Sequence, residues 1–171
     1  MEFKLTSCTV RSWEWRDREA IVRHANNRKV WLNLRDRFPH PYTNADARNW
    51  LEMVVGVRPE NSFAIAVEDE AVGGIGFTVQ HDVGRRSAEI GYWLGEEFWG
   101  RGLATQALIA VTDYAFANYD LCRMYAHVFE WNPASARVLE KAGYQFEGRL
   151  KKSVTKDGQT IDQLMYAVVR D

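Results

Sequence analysis

The sequence predicts a mixed α/β fold of the α+β kind, in one domain over residues 1–171. Three observations lead there. Short segments of strand-like alternation, such as Ser62 to Val67, share the chain with a long segment of helical period, Leu103 to Ala117. Helix-start and helix-stop signals punctuate the order, which excludes both a bundle and an all-β sandwich. No internal repeat, low-complexity run or Pro/Gly/Ser-rich linker divides the chain, and its length suffices to bury about two thirds of its unfolded surface.

In order, Phe3 to Val10 reads as a first strand. A helix follows over Arg18 to Asn26, with Ala20, Ile21 and His24 on one stripe and His24 expected to be partly exposed. Pro39 and Pro41 impose an extended or turning path on the stretch from Trp31 to Tyr42. Thr43 with Asp46 resembles a capping pattern for a second helix, which Gly56 stops. Strands are expected at Ser62 to Val67, Val72 to Gln80 and Ser87 to Leu94. The second of these holds Gly73, Gly74 and Gly76, which weaken a strand unless backbone or ligand must pass closely.

After the helix Leu103 to Ala117 comes a strand, Arg123 to Phe129. Asn132 as N-cap with Pro133 at the first helical position starts a short helix, and Gly143 after Lys141 ends it. Tyr144 to Lys152 and Gln163 to Val169 are the last two strands, around an Asp157-Gly158 turn. The predicted order is strand, two helices, three strands, helix, strand, helix, two strands.

Composition narrows the function. Net charge is −1 and basic residues are interspersed with acids, so no nucleic-acid partner is expected from the field alone. Cys8 and Cys122 lack metal-ligand spacing and read as reduced thiols; no metal is expected, and a cytoplasmic location is. The start Met-Glu-Phe-Lys-Leu lacks the character of a targeting leader, and no run approaches bilayer length, so no membrane partner is expected. Seven Trp suggest a lined groove, an interface or an aromatic core.

The stretch Glu96 to Thr105 places Gly100 and Gly102 between a strand and a helix. Such a turn can offer backbone N–H groups and the positive end of a helix dipole to a phosphate; it can also be an ordinary turn. Leu103 and Ala104 stand where a P-loop has Lys and Ser or Thr, and Thr105 stands where a dinucleotide fingerprint has its third Gly, so neither nucleotide class is supported.

The run Trp99-Gly100-Arg101-Gly102-Leu103-Ala104 resembles the acyl-CoA pyrophosphate loop of the GNAT superfamily of N-acetyltransferases, with Trp99 in place of the usual Gln or Arg. Trp before the first Gly is similar to the ribosomal-protein-acetylating branch. Two further segments carry the resemblance: Ala88 to Leu94, and Glu130 to Tyr144 with its Asn132-x-x-Ser135 and Glu140-Lys141-x-Gly143-Tyr144. It implies a mixed, mostly antiparallel central sheet of about six to seven strands with about four helices. It also implies acetyl transfer from acetyl-CoA to a primary amine, by direct attack in a ternary complex, with a protein N-terminus or a small-molecule amine as acceptor. A homodimer is a further expectation, and a non-catalytic acyl-CoA-binding protein on the same fold is the alternative.

The resemblance assigns candidate residues. The Leu94 backbone N–H would polarise the thioester carbonyl. Trp93, Leu94, Trp99, Gly100, Arg101, Gly102, Leu103, Ala104, Thr105, Asn132 and Ser135 would contact the cofactor; Arg101 is either a charge on the phosphates or solvated. Glu89 is the first choice for a base or water-positioning group, with a structural or substrate-recognition role open beside it, and Glu130 is the second choice. As a base, Glu89 needs burial to raise its pKa toward neutrality. His127 has suitable chemistry, but a packed or surface position is favoured for it.

Leu139 occupies the position of the family's usual Tyr acid and cannot donate a proton. Ser135 is the substitute donor for the leaving thiolate, or else a first-turn helix residue. Asn132 is a cap, a pantetheine contact, or both. Trp31, Phe38, Tyr42, Tyr92 and Trp93 are expected to shape the acceptor pocket.

Overall fold

The computed structural model describes all residues, Met1 to Asp171. Eight strands form one sheet in the order β1-β2-β3-β4-β5-β6-β8-β7. These are β1 (Glu2–Lys4), β2 (Thr9–Arg11), β3 (Ser62–Val67), β4 (Glu70–Val79), β5 (Ser87–Leu94), β6 (Arg123–Phe129), β7 (Gln145–Lys156) and β8 (Gln159–Val169). The helices are α1 (Arg18–Ala25), α2 (Arg28–Trp31), α3 (Asn44–Val54), α4 (Leu103–Asn118) and α5 (Pro133–Lys141). No helix is long and apolar enough to cross a membrane.

Every neighbouring pair of strands is antiparallel except β5 and β6. Their parallel pairing follows from the connection: α4 crosses over the sheet between them, so β6 starts from the same end as β5. That pairing is short. It covers only Ser87↔Arg123, Ala88↔Met124 and Glu89↔Tyr125, and beyond Glu89 the two strands part. The split is the feature on which the site is built.

Alternation along the strands sorts side chains to two sides of the sheet. Ala88, Ile90 and Leu94 of β5 and Met124, Ala126 and Val128 of β6 enter the larger core, packed with Leu103, Ala107, Leu108 and Val111 of α4. On the other side, Trp13, Ile21, Ala25, Tyr42, Ala47 and Leu51 make a smaller core under α1 and α3, which Trp93 and Phe38 join from its rim. Gly73 and Gly74 permit this packing. A Cβ on Gly73 would lie 2.4 Å from the Trp93 carbonyl oxygen, and one on Gly74 would lie 2.7 Å from Trp93 Nε1 and 2.9 Å from the Trp13 ring.

The local signals act as expected. Thr43 and Asp46 form a reciprocal capping box on α3, the Asn132 side chain accepts from the Ser135 N–H at 3.3 Å, and Gly143 has φ +87° at the end of α5. Four expectations are corrected. The first strand is two, because a turn with the Leu5 N–H on the Cys8 carbonyl (2.9 Å) reverses the chain within Phe3 to Val10. The path before Phe38 contains α2, made possible by Asn27, whose side chain accepts from the N–H groups of Lys29 and Val30. The last two strands continue to the Asp157-Gly158 turn, their polar arms paired as Val154↔Ile161, Thr155↔Thr160 and Lys156↔Gln159. His24 is buried, with Nε2 2.7 Å from Glu70 Oε1.

Candidate active site

The site starts from the parity of β5. The Gly95 N–H donates to the Val72 carbonyl and the Gln80 N–H to the Ser87 carbonyl, both at 2.8 Å, so odd-numbered backbone groups of β5 face β4. Those of Tyr92 and Leu94 therefore face the split, where β6 no longer pairs. The Leu94 carbonyl is occupied by the Trp99 indole N–H at 2.8 Å. Its amide N–H is the group left to meet an acyl oxygen. Trp99 thus ties the glycine loop to the end of β5.

Gly100 and Gly102 have φ of +74° and +77°, with no atom within 4 Å of an added Cβ. Their glycine requirement comes from backbone conformation, and the space in front of them is open. Gly102 is the N-cap of α4 and provides no side-chain cap, so the N–H groups of Leu103, Ala104 and Thr105 face outward uncapped by any side chain. A diphosphate fits this cradle by charge and geometry. The Arg101 guanidinium lies over the Phe98 ring, 5.0 Å from its centroid, and is exposed. Glu96 fastens the loop to α2 through Lys29 and to the residue before α2 through the Asn27 amide at 2.8 Å.

Tyr92 and Trp93 lie on opposite faces of the sheet. Tyr92 points to the α5 side, where its hydroxyl lies 2.8 Å from Ser135 Oγ and also donates to the Ser135 carbonyl at 3.3 Å. Burial pushes the Tyr92 phenol well above its ordinary range, against the smaller opposing effect of the Ser135 hydrogen bond, so the pair is two neutral hydroxyls. Trp93 points to the opposite side and stands edge-on to Phe38, with ring centroids 5.6 Å apart. It joins the rim of the smaller core, and Tyr92 faces α5.

Glu89, Gly91 and Trp93 share the Trp93 face of the sheet with Tyr125 and His127 of β6. His127 Nδ1 lies 2.9 Å from Glu89 Oε1, and Arg35, from the segment after α2, pairs with the same oxygen. Burial favours the neutral acid at Glu89, but the hydrogen bonds from His127 and Arg35 outweigh it and hold the carboxyl down at about 2. This is opposite to what a carboxylate base requires. Glu89 and His127 meet because Glu89, Tyr125 and His127 share odd parity on adjacent strands.

Glu130 is occupied elsewhere. Its carboxylate pairs with Arg149 and accepts from the Asp162 N–H at 2.9 Å, clamping the end of β6 to the β7–β8 hairpin. Tyr42 is buried in the smaller core and is not an open pocket wall. Trp31 holds the hairpin tip: Lys156 Nζ lies 3.7 Å from its ring centroid and 2.8 Å from Asp36, and Arg28 reaches Asp157 at 2.6 Å. Between this tip, α2, Trp99 and Trp131 is a cleft of about 410 Å³.

Residues 8–145 match the acetyltransferase (GNAT) domain. The chain belongs to the GNAT acetyltransferase family. The acetyltransferase is 31% identical over 171 residues to the N-acetyltransferase p20 of Bacillus licheniformis, covering 95% of this chain and 92% of the relative. It is also 34% identical over 109 residues to the ribosomal-protein-serine acetyltransferase of Escherichia coli, over 64% of this chain and 60% of that protein. RimJ of Mycobacterium smegmatis, solved in complex with a CoA disulfide, superposes with a TM-score of 0.81 at 27% identity, covering 95% of this chain and 81% of that one.

Proposed function

We propose that the enzyme moves the acetyl group of acetyl-CoA directly to a primary amine held on the Trp93 side of the split between β5 and β6. The observation that supports this most is the split itself, with the backbone of Tyr92 and Leu94 turned into it and the open glycine loop at its end. Acetyl-CoA is the co-substrate: the N–H groups of the Gly100 to Thr105 stretch hold its pyrophosphate, and its pantetheine arm lies along the unpaired edge of β5. The Leu94 N–H polarises the thioester carbonyl where negative charge develops, a contribution commonly worth about 100-fold or more in rate.

The amine nitrogen bonds to the carbonyl carbon and the C–S bond breaks. The departing thiolate, with an ordinary pKa of about 8.5, takes a hydrogen bond or proton from the Tyr92–Ser135 hydroxyl pair on its side of the sheet. This pair stands in for the Tyr that Leu139 lacks, since Leu139 is fully buried in the larger core. A peptide N-terminus is the favoured acceptor. The 410 Å³ cleft beside the hairpin tip is open enough for a chain end, and the similarity to a ribosomal-protein-serine acetyltransferase points the same way.

Calorimetric titration with acetyl-CoA, paired with thiol release over a panel of peptides and small amines, tests the reading. Saturable binding, lost in a folded Gly102→Glu variant, supports the cradle, and thiol release with a peptide supports the acceptor. Binding without turnover of any amine favours a non-catalytic acyl-CoA-binding protein. No binding at millimolar acetyl-CoA overturns the reading.

A further inference from the structure

We propose that His127 is the general base that takes the proton from the attacking amine, with Glu89 as its positioning residue and Gly91 as the floor of the slot the amine enters. This inference rests on the acetyl-transfer reading above and assigns a proton path within it. A carboxylate only accepts hydrogen bonds, so the contact of Glu89 with Nδ1 places a hydrogen on Nδ1, and in the neutral ring the lone pair is then on Nε2. The protein supplies no hydrogen-bond partner to Nε2, and the side chain keeps 20% of its surface exposed.

Strand register puts His127 level with the opening. The last paired positions are Glu89 and Tyr125, so Gly91 and His127, each two residues further on, stand level at the start of the split. Gly91 is exposed, and nothing lies within 4 Å of an added Cβ there. Between the Glu89 and Trp93 side chains this leaves a gap of one side chain in the acceptor wall. Glu89 itself is unsuited to take the proton at neutral pH, because Arg35 and His127 hold its carboxyl at about 2.

The surroundings of the imidazole are few. Arg35 faces it from the segment after α2, the Tyr125 ring stands edge-on at 5.6 Å, and Arg123 lies over Tyr125 while paired to Glu147. Its partner across β8 is the uncharged Met165. In the step, the N–C bond forms as the N–H proton passes to Nε2, directly or through one water. The C–S electron pair leaves with the thiolate. The imidazolium is held against the Glu89 carboxylate until it returns its proton to solvent.

His127→Asn separates this role from a structural one, since the Asn amide can still donate to Glu89 where Nδ1 did but has no basic nitrogen. Expected are unchanged acetyl-CoA affinity by calorimetry, a fall of about 100-fold or more in kcat/KM for the amine, and loss of the acidic limb of its pH profile. Glu89→Gln should lower kcat for the amine by about 10-fold at unchanged acetyl-CoA affinity, because the ring loses the carboxylate that orients it. A His127→Asn enzyme with the parent's rate and acidic limb overturns the role of His127 alone. A parent that binds acetyl-CoA yet acetylates no amine overturns the transfer reading and this one with it.

Discussion

The two sides of the split between β5 and β6 are built from different materials. On the proposed cofactor side the working groups are backbone amides at Leu94 and along the glycine loop, together with the neutral Tyr92–Ser135 pair. On the proposed acceptor side they are charges: Arg35 with Glu89 and His127, and further out Arg28 with Asp157 and Lys156 with Asp36. A cofactor that never varies can be met by the main chain, whose geometry is set by conformation. An amine that must be desolvated and deprotonated needs titratable side chains, which respond to pH and salt.

Substitutions should therefore divide by side. The largest effect is expected from Gly102→Glu, which forces a side chain to φ +77° at a cost of about 1–2 kcal/mol and sets a carboxylate against the pyrophosphate. Acetyl-CoA affinity should fall at least about 100-fold by calorimetry, a loss of about 2.7 kcal/mol. Retained affinity would break the assignment of the cofactor side.

Next comes Glu89→Gln, read as stability against pH. The folded carboxyl is held at about 2, below its ordinary 4.5, so its ionised form stabilises the fold above pH 4.5 and that contribution is lost as pH falls toward 2. With discount for the exposed Arg35 partner, the parent should exceed the variant by about 2 kcal/mol at neutral pH. Urea unfolding should show the two curves converging between pH 4.5 and 2; a constant gap would mean that the ion pair is not the cause.

Gly91→Val is milder. Its backbone needs no positive φ, so the added side chain acts by filling the slot before His127. Transfer to the amine should fall about 10-fold while acetyl-CoA affinity stays level, a difference of about 1.4 kcal/mol that sharpens the division between sides. Smallest is Asn132→Ala, which removes the α5 cap and should cost about 1 kcal/mol. Its thermal midpoint should drop by about 2–4 °C with transfer mostly intact. A selective loss of acetyl-CoA affinity would instead make Asn132 a cofactor ligand.

The sequence by itself determined what depends on neighbours a few residues apart. Asn132 with Ser135, Thr43 with Asp46, and the glycines at 100, 102, 143 and 158 encode caps and positive φ in place, whatever surrounds them. The family motifs lie in the same stretches, which is why the family was legible. Alternation sends Tyr92 and Trp93 to opposite faces, but it does not say which parity faces α5, since that depends on which layer each sheet face meets.

Only the tertiary structure decided the acceptor side. His127 and Glu89 are 38 residues apart and Arg35 and Glu89 are 54, so each ion pair exists because strand register and a folded-over segment bring them together. The same holds for Glu130, which pairs with Arg149 and the Asp162 N–H of the β7–β8 hairpin, and for Tyr42, which α1 and α3 bury. A carboxylate's pKa follows from the charges and solvent around it. Those are properties of the assembled fold, and no spacing along the chain contains them.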